Sequence, residues 1–306
     1  MATRRAQSLR VRDRAVWAAF LLPALAVYAL FLIYPVIQSG VLSFTSWAGP
    51  GRAATVVGLE NYTELLADPV FWRAMGNTAL LLFVSIVIQL PIGLGLALIV
   101  ATAARAKRFW RAIYFIPTLM STVAIAILWR LIYSPDFGII NGFLRAVGLG
   151  DLAQGWLGQS STALAAVLAT NIWQWAPFYM VIYLAALAGI NGEVYEAAAL
   201  DGATPWQRFW YVTLPLLKPV LITTSILSLA GSIKAFDLVY IMTGGGPSSS
   251  TELLATYMFR QGFDNYRLGY ASTIAVVMFL ITFVLTVLVI VQSNRRNHAD
   301  EMRGAK

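Results

Sequence analysis

Six long apolar stretches dominate this chain, at residues 15–39, 77–103, 112–133, 163–190, 219–243 and 271–292. A helix that crosses the hydrocarbon core of a bilayer needs about 20 mainly apolar residues. In lipid, every backbone N–H and C=O must be satisfied within the protein, so runs of this length can only be helices. The composition agrees: of 306 residues, 59% are hydrophobic and 12% charged, against about 25% charged in soluble domains. The sequence predicts an all-α polytopic membrane protein with six transmembrane helices.

The basic residues set the expected orientation. One side collects Arg4, Arg5, Arg10, Arg12 and Arg14, then Arg105, Lys107, Arg108 and Arg111, then Arg208 and Lys218, and finally Arg295, Arg296, Arg303 and Lys306. The other side holds Arg52, Arg73, Arg145, Arg260 and Arg267. Fifteen against five makes the first side cytoplasmic, with both termini on it. The expected organisation is a cytoplasmic segment 1–14, a six-helix domain 15–292 with its largest cytoplasmic loop at 191–218, and a cytoplasmic tail 293–306. The first apolar run reads as a retained signal anchor rather than a cleaved leader, because Pro23, Tyr28, Tyr34 and Pro35 lie inside a long core with no small-residue cleavage site after it. Between the first two spans, residues 44–76 read as an outer loop ending in a short interfacial helix. The +8 net charge is thus a topology signal, and no nucleic-acid partner is expected.

The composition also narrows the chemistry. The chain has no cysteine and a single histidine, His298, in the polar tail. Disulfides and thiolate metal sites are excluded, and no histidine-based metal site or triad is expected. No phosphate-binding loop of the form GxxxxGK[ST] occurs. If ATP drives this protein, it is hydrolysed on another chain.

The loop 191–218 is unusually well punctuated. Glu196, Ala197, Ala198, Ala199 and Leu200 favour a helix. Asp201-Gly202 follows, with Gly202 suited to the left-handed conformation that ends one. Thr204-Pro205-x-Gln207 then restarts a helix with a capping box. On local physics alone, a docking surface and an ordinary amphipathic loop are equally open. The spacing Glu196-Ala197-Ala198, three residues, Gly202, nine residues, Val212-x-Leu214-Pro215 resembles the EAA loop of bacterial ABC importer permeases, where the ATPase subunit docks. Gly58-Leu59-x-Asn61-Tyr62, Phe115-Ile116-Pro117 and Gly244-Gly245-Gly246-Pro247 extend the likeness to the MalF-type member of the sugar-importer branch.

This resemblance implies the type I ABC importer permease fold and a heterotetrameric core in the cytoplasmic membrane. The expected partners are a MalG-type permease subunit, two copies of a cytoplasmic ABC ATPase and an extracytoplasmic sugar-binding protein, besides membrane lipid. It implies no catalytic residue and no cofactor on this chain, with ATP and Mg bound by the ATPase. The expected cargo is a disaccharide, oligosaccharide or glycerol-phosphate-like solute, moved by alternating access. A secondary sugar symporter and a membrane-embedded enzyme are the alternatives. The spans offer little to either: they hold no His or Cys, and Asp237 has Lys234 nearby.

Polar groups inside spans are costly and should face a cavity or a partner. Asn171, Gln174, Trp175 and Phe178 recur at i, i+3, i+4 and i+7, one helix face. Amides can bond sugar hydroxyls and aromatic rings can stack on pyranoses; the same face could instead pack against another helix. The resemblance also places these four positions in the family's sugar-contacting stretch. Ser225, Ser228 and Ser232 form a small polar stripe that either lines the path or permits close helix approach, and Ser228 and Ser232 are taken as candidate substrate contacts. Lys234 and Asp237, three apart, read as an intramembrane ion pair, structural rather than substrate-contacting. Arg130 is expected to snorkel to the outer interface.

Overall fold

The computed structural model describes residues 20–102 and 107–304, with side chains at 20–102 and 108–292. The basic residues of segment 1–14, Arg105, and the side chains of the tail lie outside the described residues. The regular elements among the described residues are all helices, joined by turns and irregular loops, with one isolated bridge between Thr45 and Val56.

In chain order the helices are α1 (Phe20–Leu42), α2 (Glu60–Ala67), α3 (Pro69–Thr102), α4 (Lys107–Leu119), α5 (Thr122–Ile132) and α6 (Ile139–Ala146). They continue with α7 (Ala163–Ala188), α8 (Gly192–Leu200), α9 (Pro205–Ile233), α10 (Asp237–Thr243), α11 (Leu254–Phe259) and α12 (Leu268–Gly304). Four of them, α1, α3, α9 and the Leu268–Gln292 part of α12, are long and apolar enough to cross a membrane. Two bent pairs, α4 with α5 and α7 with α8, bring the number to six.

Proline shapes three of these spans in one way. A proline cannot donate to the carbonyl four residues back, and its ring crowds that carbonyl. Ahead of Pro35, Pro91 and Pro215 the helix widens into a π-turn, at Ala29–Ile33, Ser85–Gln89 and Phe209–Thr213. The residue before each proline, Tyr34, Leu90 or Leu214, donates its N–H five residues back, to Ala29, Ser85 or Phe209. Such turns keep the helix continuous where a proline would otherwise break it.

Two expected spans depart from single straight helices. The 112–133 stretch bends by 93° between Leu119 and Thr122. Pro117 weakens the last turn of α4, and Ser121 leaves the helical region with φ −60° and ψ 134°. The 219–243 stretch breaks between Ile233 and Asp237. Phe236 takes φ −136° there, its ring stacked on Tyr240 at 4.9 Å and tilted against Phe259 at 5.0 Å.

The chain forms two compact units. The first comprises residues up to Leu65 together with Arg260–Val277. Within it Asn61 Nδ2 donates to the carbonyls of Ser43 and Thr45, both at 2.9 Å. The Tyr62 hydroxyl meets Ser43 Oγ at 2.8 Å. The Asn-Tyr pair noted in the sequence therefore ties the start of α2 to the end of α1.

The second unit comprises Leu66–Phe259 and the residues from Met278 onward. Here α3 packs closely along α7. A Cβ on Gly93 would stand 2.9 Å from the Ala176 carbonyl and 2.9 Å from Tyr179 Cβ, so only glycine allows this approach. Two apolar clusters fill the unit. One gathers Leu81, Ile125, Val167, Val239 and Met242, and the other Leu94, Val100, Met180, Tyr183 and Leu217. Along α3 and α7 the polar positions fall between the residues of one cluster and those of the other, and on α9 Ser228 and Ser232 fall between Leu217 of the second cluster and Leu238 of the first, at the start of α10.

Candidate functional site

That polar layer encloses a cavity of about 320 Å³. Helix α7 contributes Asn171, Trp175, Phe178 and Tyr179; α9 contributes Ser228 and Ser232; the π-turn of α3 contributes Ser85 and Gln89. Five of the six substrate candidates from the sequence thus share one wall. Asn171 Nδ2 donates to Gln89 Oε1 at 3.0 Å, which leaves its own carbonyl oxygen open to a further donor. Ser232 Oγ donates to Ser85 Oγ at 3.3 Å. Ser228 Oγ is buried at the cavity wall. Trp175 and Phe178 meet edge to face at 6.1 Å, presenting aromatic surface beside the amide.

Gln174, the sixth candidate, does not line the cavity. It is 1% exposed. Its Nε2 donates to Thr122 Oγ1 at 2.9 Å, and its backbone carbonyl accepts from Thr118 Oγ1 at 2.9 Å. It joins α7 to the two arms of the bent α4–α5 pair.

Ser85 and Gln89 carry a role that the sequence reading missed. Gln89 is 2% exposed, and its carbonyl is the acceptor that orients Asn171. The signal was present as an amide two residues before Pro91 in an otherwise apolar run. Replacing Gln89 by leucine should leave the Asn171 amide short of an acceptor, at a cost of about 1–3 kcal/mol. A Gln89→Leu, Asn171→Leu double-mutant cycle on thermal stability should then show coupling between the two sites, and strict additivity would count against this account.

Lys234 and Asp237, expected to form an ion pair, stand at two separate helix ends. Lys234 and Asp237 do not share a helix, because α9 ends at Ile233 and α10 starts at Asp237. No salt bridge or hydrogen bond joins them, and both line the cavity. The helix ends supply the reason. Lys234 caps the C-terminus of α9 and Asp237 opens α10, so each charge sits at the helix terminus of opposite polarity. In a Lys234→Met, Asp237→Leu cycle on the yield of assembled protein, the losses should add. A coupling above about 1 kcal/mol would show that the charges meet in another state.

The loop between α7 and α9 follows the sequence pattern closely. Asn191 accepts from Glu193 N at 3.1 Å and starts α8. At its end Ala203 N donates to Ala198 O and Gly202 N to Ala199 O, each at 3.0 Å, the two bonds of a Schellman motif. Gly202 has φ +77°. Thr204 and Gln207 form a reciprocal capping box at the start of α9. Glu196, Ala197, Asp201 and Gly202 are exposed and Ala198 partly so. Large apolar side chains of the same loop are exposed, among them Leu200 at 90%, Tyr211 at 80% and Trp206 at 69%. Pro215, farther along α9, sets the π-turn described above.

Residues 89–297 match the family model of the binding-protein-dependent transport system inner membrane component. The chain belongs to this family. The probable ABC transporter permease protein YurN of Bacillus subtilis is 38% identical over 271 residues, covering 88% of this chain and 92% of its own. The lactose transport system permease protein LacF of Rhizobium radiobacter is 37% identical over 297 residues, covering 94% of this chain and 97% of its own. A chain in the crystal structure of a bacterial ABC transporter that imports the acidic polysaccharide alginate superposes with a TM-score of 0.82. It is 26% identical, over 95% of this chain and 99% of that one. This chain is therefore a membrane-embedded permease component of an ABC importer, and its role is transport rather than catalysis.

Proposed function

We propose that this permease carries a sugar through the cavity around Asn171 and that its 191–218 loop receives the movement of a cytoplasmic ATPase. The observation that carries the first half is the composition of the cavity wall. Two amides, a set of serine and threonine hydroxyls, four aromatic rings and the charged Lys234 and Asp237 line one space between apolar clusters, a combination that can hydrogen-bond and stack on a pyranose. The lactose system of the Rhizobium relative supports a saccharide cargo. The second half rests on the exposed Leu200, Trp206, Trp210 and Tyr211 of this loop, a concentration of large apolar side chains of the kind that marks an interaction surface.

The assembly in this reading pairs the permease with a MalG-type subunit, two ATPases that bind ATP and Mg, and an extracytoplasmic sugar-binding protein. The excess of basic residues puts the 191–218 loop and both termini in the cytoplasm. ATP-driven closure of the ATPases pushes α8 and the start of α9. Because α9 runs unbroken from Pro205 to Ile233, movement at its capping box reaches Ser228 and Ser232 directly. The cavity then opens outward to accept the sugar.

The test is reconstitution in proteoliposomes with and without the ATPase subunits. Sugar uptake that requires ATP and the loaded binding protein is expected. Uptake that persists without ATPase subunits and collapses with an ionophore would establish a secondary symporter instead.

A further inference from the structure

We propose that the connection between α5 and α7 is a membrane-surface element, with helix α6 lying in the bilayer interface and its outer face in the acyl chains. The polarity of α6 is inverted relative to that of a helix packed on a water-soluble core. Ile139, Phe143 and Val147, at i, i+4 and i+8, form one stripe and are 72%, 64% and 50% exposed. Phe137, Leu149 and Leu152 on either side are also exposed.

The inward face is polar instead. Asn141 is 1% exposed. Its Nδ2 donates to the carbonyls of Pro135 at 3.1 Å and Gln154 at 2.9 Å. Its Oδ1 accepts from Trp156 Nε1 at 2.8 Å and Gln154 N at 3.3 Å. Every hydrogen-bonding position of that amide is used, so the helix cannot turn its apolar stripe inward without losing four bonds. Arg145 is drawn off the stripe too, its guanidinium donating to the carbonyls of Pro135 and Asp136.

The occupant follows from what adjoins the stripe. Helix α6 packs on α5, which belongs to one of the bent membrane-crossing pairs. Val123, Ile127 and Leu131 of α5 repeat the same i, i+4, i+8 exposure, so the apolar surface of α6 continues that of a lipid-embedded helix. A short helix with one apolar face beside a span is the form that lies flat at the headgroup boundary. The anchor would also hold the end of the arm that begins at Thr122, the residue bonded to Gln174.

The absence of native cysteine makes the test direct. Ile139→Cys, Phe143→Cys and, as a control, Gln159→Cys, whose native side chain is exposed, are each labelled with a nitroxide in the assembled transporter in lipid nanodiscs. Collision rates with oxygen, which concentrates in lipid, and with a water-soluble nickel chelate are then compared. Labels at 139 and 143 should favour oxygen, and the label at 159 should show the reverse ratio. Nickel access at 139 and 143 equal to that at 159 would overturn the proposal in favour of a water-facing loop. Exclusion of both agents would overturn it in favour of a protein partner, such as the second permease. All three substitutions are at exposed positions, so loss of fold does not confound the outcome.

Discussion

Valine at position 202 should abolish most sugar uptake while the protein still inserts in the membrane. Gly202 holds φ +77°, a conformation that costs a β-branched residue about 1–2 kcal/mol. Nothing lies within 4 Å of the position a Cβ would occupy, so steric clash contributes nothing and the whole effect falls on the backbone. The relief available is to unwind the two bonds to Ala198 and Ala199, which changes the angle at which α8 meets α9. An exposed turn can absorb this without harm to the spans. Glu196→Lys tests the same surface by charge, because Glu196 is exposed and makes no ion pair that needs preserving. Uptake and ATPase co-purification are the two measurements. If both mutants transported normally and retained the ATPase to the same extent, the loop would not be the coupling element.

This loop was the most legible part of the sequence, and the reason is that its determinants are local. Thr204 and Gln207 satisfy each other's backbone, and Gly202 stands directly after the helix it ends. The spans were legible as well, since hydropathy requires no knowledge of neighbours. The cavity was legible only in part. Trp175 and Phe178 lie about 40° and about 20° to either side of Asn171 around the helix axis, whereas Gln174 sits about 60° from Asn171, beyond Phe178. That offset is enough to aim it at Thr122 rather than into the cavity. A period-based reading cannot tell the edge of a stripe from its centre. Gln89 was missed because its partner lies 82 residues away. The break at Lys234–Phe236 was hidden for a different reason. Lys234 and Asp237 at a spacing of three look like a pair on one helix, and only the backbone shows two helix ends.

Truncating Trp175 or Asn171 to alanine should reduce sugar uptake sharply without preventing assembly. Trp175 is 38% exposed in the isolated chain and faces the cavity, so its loss removes aromatic surface from the sugar and little from the core. Asn171 differs, since its amide is also bonded to Gln89. On the proposed reading its removal deletes a hydrogen bond to the cargo, about 1–3 kcal/mol where the group is desolvated, and it frees the Gln89 carbonyl. Trp175→Ala is therefore the cleaner probe, with Asn171→Ala expected to carry a modest stability loss as well. The ATPase activity stimulated by the loaded binding protein should largely persist in both, because on the proposed coupling that signal passes through α9 and not through the cargo. Uptake and stimulation falling in strict proportion, together with poor assembly, would mean that this face packs helices and that the sugar crosses elsewhere. Loss of uptake with stimulation retained would separate the site that holds the sugar from the helix that moves it.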